Sequence, residues 1–275
     1  MAVGPLDDWE AAFAGLASLI ERRYGLSRRL QRDRLQAFFA ERPGLDRLGL
    51  TERLSRAPDG DPLCQTLVEA MLVHETFFYR HPDQLDVMVR EVLPALRERR
   101  GEPLRVWCAG CATGEEAYTL AFLLRDAGCA GRVIATDLSP ASLAEARAGL
   151  YRRKPGLNSF RALPEHARRH FEPHPTEPDC WAVAPAIRRM VDFEPHNLMT
   201  PLTSGLPVDL ISCRNTLIYF SEKSLRQVES MLVAAARPGT ALLLGPAERL
   251  RYTNVFVPLT EAHPQILHWP LPGAV

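Results

Sequence analysis

The chain has 275 residues, 46% of them hydrophobic, and its 33 Lys+Arg balance its 33 Asp+Glu for a formal net charge of zero. That length and apolar content allow one large domain or two smaller ones with a proper core, and the neutral balance gives no global attraction for nucleic acid. Met1 to Trp9 has no basic-then-apolar leader and no apolar run approaches the ~18 residues of a membrane span, so a cytoplasmic protein without membrane insertion is expected.

The six cysteines are scattered, which fits a reducing compartment. Cys108 and Cys111 have the spacing of half a zinc site, but no second pair follows, so packing is expected and no metal. Only two of the 33 basic residues are lysines, Lys154 and Lys223, a bias that reflects genomic base composition.

Residues 1 to about 73 read as a helical domain. Trp9, Phe13, Leu16, Leu19 and Ile20 recur at helical spacing. A second helix is predicted from about Arg28 to Glu41, before Pro43-Gly44. A third apolar stretch, Leu63 to Val73, follows the breaker Ala57-Pro58-Asp59-Gly60-Asp61-Pro62. From Glu91 onward strands and helices alternate, which predicts a mainly parallel sheet with helices on both faces.

The most telling stretch is residues 104–137. Leu104 to Trp107 reads as a buried strand. Gly110 and Gly114 then permit a tight turn and close approach to a ligand. An amphipathic helix is predicted from Glu115 to Asp126, and Val133 to Thr136 reads as a second strand, ending in Asp137. An acid at that strand tip suits ribose hydroxyls, so a nucleoside ligand is expected. Glu115 and Glu116 in the first helical turn would repel a pyrophosphate and attract a cation. S-adenosylmethionine has a ribose, an ammonium and a sulfonium and lacks phosphate, so it is favoured over NAD or FAD.

Residues 152–189 break the alternation with six prolines, Pro155, Pro164, Pro173, Pro175, Pro178 and Pro185. That length exceeds an ordinary crossover, so a small inserted subdomain is expected, with Cys180 to Val183 as a short strand. Core strands resume at Met190 to Phe193, Val208 to Cys213 and Ala241 to Leu244. Asn254 to Leu259 and Gln265 to Trp269 suit an edge hairpin. Two stretches are rich in base: residues 21–34 hold six arginines against Glu21 and Asp33, and residues 145–172 hold seven basic residues against three acids.

Five linked motifs carry a family resemblance. Ala109 to Tyr118 resembles the S-T-G-E-E-P-Y signature of the CheR chemotaxis-receptor methyltransferases. His74-Glu75-Thr76-Phe77-Phe78-Tyr79-Arg80 resembles N-E-T-x-F-F-R. Ala135 to Leu138 with Ala146 to Tyr151 resembles A-[TS]-D-I … A-x-x-G-x-Y. Phe193 to Leu198 resembles F-x-x-x-N-L, and Asp209 to Phe220 resembles D-x-I-x-C-R-N-V-x-I-Y-F. The resemblance as a whole covers roughly residues 10 to 250.

The resemblance implies an α/β fold. A Rossmann-like class I methyltransferase sheet would fill residues 74–275, with a small inserted β subdomain at 152–189 and a small N-terminal helical domain at 1–73. It implies methyl transfer from S-adenosylmethionine to glutamate carboxylates of chemoreceptor cytoplasmic helices, releasing S-adenosylhomocysteine. Thr76 and Arg80 would lie against cofactor and acceptor. Asn197 would face the adenine edge, with Leu198 beside it, although an Asn after a strand is ordinarily a turn former. Gly110, Glu115 and Asp137 complete the cofactor set, with Asn215 and Thr216 just beyond a strand end. Tyr219 would stand near the transferred methyl, and Arg80 and Tyr219 are the expected catalytic pair. The basic stretches would meet the acidic receptor. A carboxylate is ionised at neutral pH, so such a site needs no general base.

Two positions depart from the family pattern. His74 replaces its Asn, and Gly245-Pro246-Ala247-Glu248 replaces G-H-S-E. These changes favour another reading, a binder of S-adenosylmethionine or S-adenosylhomocysteine without turnover; a third, a methyltransferase for a small molecule or nucleic acid, is opposed by the zero net charge and the lack of a base.

Overall fold

The computed structural model describes residues 5–58, 60–100, 103–153, 158–204 and 207–272. Asp59, Lys154 and Pro155, named above, lie outside them. Two compact units divide the chain: Met1–Val73 with Tyr219–Val228, and His74–Ile218 with Glu229–Val275.

The first unit is helical. Its helices are α1 (Pro5–Tyr24), α2 (Arg32–Ala40), α3 (Arg47–Arg56) and α4 (Pro62–Met71). Ala12, Leu16, Leu19 and Ile20 of α1 are buried with Leu35, Phe38 and Phe39 of α2. Helix α4 starts where the sequence breaker ends. Asp61 caps it by accepting from the N–H groups of Leu63 (2.9 Å) and Cys64 (3.0 Å), and Pro62 sits in the first turn, where a missing N–H costs nothing. Helix α3 escaped the sequence reading because its apolar signal is thin: Leu50 and Leu54 are buried in an otherwise polar run.

Part of the basic stretch 21–34 is tied within this unit. Arg23 donates to the Ala57 carbonyl (2.6 Å), and Arg34 donates to the carbonyls of Ala70 (3.3 Å) and Leu72 (2.7 Å). Arg28 pairs with Glu21 and Arg32 with Glu10. Arg23 and Arg34 thus satisfy carbonyls at helix ends, while Arg22, Arg28, Arg29 and Arg32 are exposed.

The second unit opens with α5 (Pro82–Val87), which widens into a π-type turn at Met88–Val92 before α6 (Leu93–Arg100). Pro94 explains the widening, because it cannot donate to the carbonyl four residues back. Next come β1 (Leu104–Ala109), α7 (Glu115–Asp126), β2 (Gly131–Asp137) and α8 (Pro140–Ala148). The insert holds β3 (Leu150–Arg152), β4 (Phe171–Pro173), β5 (Cys180–Val183) and the short α9 (Pro185–Arg188). The core resumes with β6 (Val191–Pro195) and β7 (Leu210–Cys213). It continues through α10 (Glu222–Ala235), which begins in the first unit, and β8 (Ala241–Leu244). The edge strands are β9 (Val257–Pro258) and β10 (Ile266–His268).

The main sheet has the order β6-β2-β1-β7-β8-β10-β9. The first five strands are parallel, and β10 and β9 close the edge antiparallel. This is the expected class I methyltransferase sheet. The chain builds outward from β1 in both directions, so a crevice opens beyond the carboxyl ends of β1 and β7, where ligands bind in such sheets.

The insert forms its own antiparallel sheet, β3-β5-β4, beginning at Leu150. Phe78 fastens it to the core. Its ring lies 4.8 Å from Tyr151, 5.0 Å from Phe171, 5.6 Å from Phe160 and 5.9 Å from Phe122. Phe78 has no exposed surface, so Phe78→Ala removes the hub of this cluster and should cost about 3–5 kcal/mol. Urea unfolding should show a lower midpoint at unchanged slope. A loss under about 1 kcal/mol would mean that the rings pack without it.

Candidate functional site

Four neighbouring strands end at the same edge. Gly110 follows β1, Asp137 ends β2, Asn197 follows β6, and Asn215 and Thr216 follow β7. Gly110 is required there. It sits at φ +80°, and a Cβ would meet Thr216 Oγ1 at 2.6 Å and Cγ2 at 2.9 Å. The N–H groups of Gly110 (2.8 Å) and Cys111 (2.9 Å) donate to the Thr136 carbonyl, which pins the loop to β2.

Asp137 is first an anchor of that loop. Its Oδ2 accepts from the Ala112 N–H (2.8 Å) and its Oδ1 from the Ser139 N–H (2.9 Å). Ala112 is held at φ +45°, a conformation that needs such support.

The two acids at the start of α7 have separate environments. Glu115 is buried and accepts from the hydroxyls of Thr113 (2.6 Å) and Ser159 (2.7 Å). Burial pushes its carboxyl pKa up, against the pull of those hydroxyls. Glu116 accepts from the Ser212 hydroxyl (2.5 Å) and lies 3.7 Å from the Arg214 guanidinium. The expectation that both acids face a cationic ligand is therefore corrected: Arg214 neutralises Glu116. Glu115 lines an open cleft of about 460 Å3 with Thr76, Thr113, Glu145, Tyr151 and Ser159.

The segment before α5 is strained and tied down. Tyr79 and His81, on either side of Arg80, both have φ in the left-handed region, +57° and +58°. The Phe78 N–H donates to the Ser159 carbonyl (2.9 Å), and the Tyr79 N–H to the Thr119 hydroxyl (3.2 Å). His74, in place of the family's Asn, bonds through Nδ1 to the Ser142 hydroxyl (2.8 Å). The Arg80 carbonyl accepts from the Arg214 guanidinium. The Arg80 side chain donates to the Glu75 carbonyl (2.9 Å) and lies 5.6 Å from the Phe77 ring centre. Arg161 sits 3.7 Å from that same centre and pairs with Glu75 at 2.9 Å.

His81 escaped the sequence reading. Its Nε2 bonds to Asn215 Oδ1 at 3.1 Å. Burial and the nearby Arg214 push its pKa down, so the ring is neutral at pH 7 and its Nε2–H tautomer is assigned from the Asn215 oxygen. The available signal was its position between Arg80 and Pro82.

Asn197 makes a turn. Its Oδ1 accepts from the Met199 N–H (3.0 Å), and its carbonyl accepts from the Thr200 N–H (2.8 Å), with Leu198 buried. The neighbouring His196 N–H donates to the Asp137 carbonyl (2.9 Å), joining the tips of β6 and β2. Tyr219 belongs to the first unit, where its carbonyl accepts from the Ser27 N–H (2.8 Å). Cys108 and Cys111 are buried, and burial pushes both thiols well up. Among the described residues no group of His, Cys, Asp and Glu is placed to hold a metal.

Comparison with known proteins follows the same residues. Residues 74–263 match the family model described as "CheR methyltransferase, SAM binding domain". Chemotaxis protein methyltransferase 1 of Pseudomonas aeruginosa is 33% identical over 83% of this chain and 85% of its own length. Chemotaxis protein methyltransferase Cher2 of Pseudomonas putida is 31% identical over 83% and 85%. The probable biofilm formation methyltransferase WspC of Pseudomonas aeruginosa is 37% identical over 67% of this chain and 44% of its own.

Protonating Glu115 removes the negative charge that an ammonium group would meet. Affinity for S-adenosylhomocysteine should therefore fall as pH drops through the raised Glu115 pKa. Glu115→Gln should bind weakly, with a flatter dependence over the same range. Calorimetric titration at several pH values checks this, and a variant that follows the wild-type curve would remove Glu115 from ligand binding.

Proposed function

The chain belongs to the CheR methyltransferase family, and from that premise we propose that it methylates glutamate side chains of chemoreceptor-like proteins, forming methyl esters. The observation that supports this reading is the charge at the strand tips: Asp137 ends β2 and Glu115 opens α7, and we read them as the cofactor side, with the Arg80 guanidinium, which donates to the Glu75 carbonyl, as the group for the acceptor.

S-adenosylmethionine, when bound, supplies an electrophilic methyl on a sulfonium. The residues present fit it. Gly110 gives the close approach, Asp137 suits ribose hydroxyls, and Glu115 suits the ammonium. In the proposed site, Thr76, Arg80, Asn197, Leu198, Asn215 and Thr216 complete the cofactor's surroundings. Residues 74–275 form the methyltransferase domain with its insert at 152–189, and residues 1–73 the helical domain.

The acceptor carboxylate has a free pKa of about 4.3, so it reaches the site ionised and needs no base. The work left to the protein is to strip water and hold the oxygen in line. Arg80 suits that task, since a guanidinium binds a carboxylate through two parallel N–H bonds. Tyr219, three residues after Thr216, is the proposed second group at the acceptor. His81 is spoken for by Asn215 and holds Arg80's neighbourhood in place. The partner is the helical cytoplasmic region of a receptor, which sets the cytoplasm as the place of action. No described helix is long and apolar enough to cross a membrane.

Methyl-labelled cofactor incubated with receptor cytoplasmic fragments should label the receptor, and mild alkali should release the label as methanol. Alkali-stable label would assign another methyltransferase class. Label in no fragment, despite cofactor binding, would leave a binder without turnover. Arg80→Ala should lower kcat by roughly 100-fold, about 2.7 kcal/mol of transition-state stabilisation, while S-adenosylhomocysteine affinity changes about threefold or less. Equal losses in both would make Arg80 a cofactor ligand only.

A further inference from the structure

After β8 the chain turns through Gly245-Pro246-Ala247-Glu248. The Glu248 N–H donates to the Gly245 carbonyl at 2.9 Å, which makes these residues a β-turn with proline in its second position. Proline's fixed φ suits that position, and the turn does not call on its missing N–H. Pro246 and Ala247 are exposed, whereas Glu248 is 4% exposed.

The Glu248 carboxylate is surrounded by main-chain donors. Oε2 accepts from the N–H groups of Gly245 (2.7 Å) and Asn215 (2.7 Å). Oε1 accepts from those of Thr216 (2.7 Å) and Ile218 (3.2 Å). Three of the four belong to the loop that leaves β7. Burial pushes the Glu248 pKa up and the four N–H bonds pull it back.

A buried carboxylate is costly unless its acceptor positions are filled, and here the segment that leaves β7 fills three of them with its main chain, while its side chains bond to His81 and to the Ala109 and Arg214 carbonyls. Asn215 is held at φ +55°. The packing at the turn is close: a Cβ on Gly245 would meet Glu248 Oε2 at 2.7 Å and the Asn215 nitrogen at 2.8 Å. Thr216, held by Glu248 through its N–H, is also the side chain against Gly110 in the cofactor loop. Glu248 thus reaches the cofactor wall through one main-chain segment, without itself facing the crevice.

We propose that Glu248 is a positioning residue for methyl transfer, fixing the 215–218 segment against the cofactor loop, and that Pro246 and Ala247 only complete its turn. This rests on the methyl-transfer reading for its kinetic arm. On this proposal the departure from G-H-S-E leaves the working residue in place and gives no reason for lost activity.

Glu248→Gln keeps the size but puts an amide NH2 against N–H donors. It should raise KM for S-adenosylmethionine about tenfold or more and lower kcat, leaving KM for a receptor fragment within about twofold. A role in general stability alone would shrink the active fraction, lowering kcat with both KM values unchanged, and that result would overturn the proposal. Pro246→His with Ala247→Ser should leave all three constants within about twofold, and a change of about tenfold would overturn its second half. Should Glu248→Gln fail to fold, the wild type decides by amide exchange. S-adenosylhomocysteine should slow exchange at Asn215 and Thr216, and no slowing overturns the proposal. If wild type transfers no methyl to any acceptor, the functional reading fails by itself. Glu248 is then judged by S-adenosylhomocysteine affinity, about tenfold weaker in Glu248→Gln if it positions the wall and unchanged if it does not.

Discussion

The buried pair of Glu116 and Arg214 joins the parts on which the site depends. Glu116 stands in the first turn of α7, Arg214 just past β7, and they are 9% and 4% exposed. The Ser212 hydroxyl adds a third partner. Such a pair gives little net stability against a well-packed apolar substitute, but removing one member strands a buried charge at about 3–5 kcal/mol. Its value here is geometric. Arg214 also donates to the Arg80 carbonyl, so one guanidinium ties the helix after the glycine loop, the tip of β7 and the strained Tyr79-Arg80-His81 turn. Two left-handed residues in three persist only when their surroundings over-determine them. Arg214 and the His81–Asn215 bond supply that determination.

Three buried glutamates around the strand tips are satisfied in three different ways. Glu116 meets a cation, Glu248 meets four main-chain N–H groups, and Glu115 meets two hydroxyls. The partner decides what each can do. A guanidinium cancels charge, whereas amides and hydroxyls stabilise a carboxylate while leaving its net charge in place. What separates Glu115 from Glu248 is its place on the open cleft, since Glu248 is enclosed by the loop it holds.

These differences mark what was legible in the sequence. The β1–loop–α7–β2 unit could be read because apolar runs, glycines and a helical period all agree over one short stretch, and α7 runs from Glu115 to Asp126 as expected. Strand β8 was equally plain as Ala241–Leu244, a run of apolar residues. Strand β4 was not, since Phe171-Glu172-Pro173 has neither length nor alternation and exists only by pairing with β5. Within the basic stretch 21–34 the sequence shows charge but not reach, and Arg23 and Arg34 reach carbonyls 34 and more residues away. Glu116 looked like a ligand for the same reason: its canceling partner lies far along the chain. Glu248 and His81 act through bonds to residues distant in sequence, which no local pattern announces.

The electrostatic layout also bears on the carboxylate acceptor of the proposed reaction. Near the turn Arg214 pairs with Glu116 and Arg161 with Glu75, while the Arg80 side chain donates to a carbonyl and lies beside an aromatic face. Those contacts orient a guanidinium without neutralising it. On the other side Glu115 accepts from two hydroxyls, with burial pushing its pKa up, and Asp137 accepts from two main-chain N–H groups. In the proposed reaction the ammonium of the cofactor would be drawn toward the acids and the acceptor carboxylate toward Arg80, with the methyl between them. Transfer consumes both the sulfonium charge and the carboxylate charge, so the attraction that aligns the reactants is absent between the products. The same arrangement that favours approach therefore favours release of a neutral ester, and no proton has to move for either step.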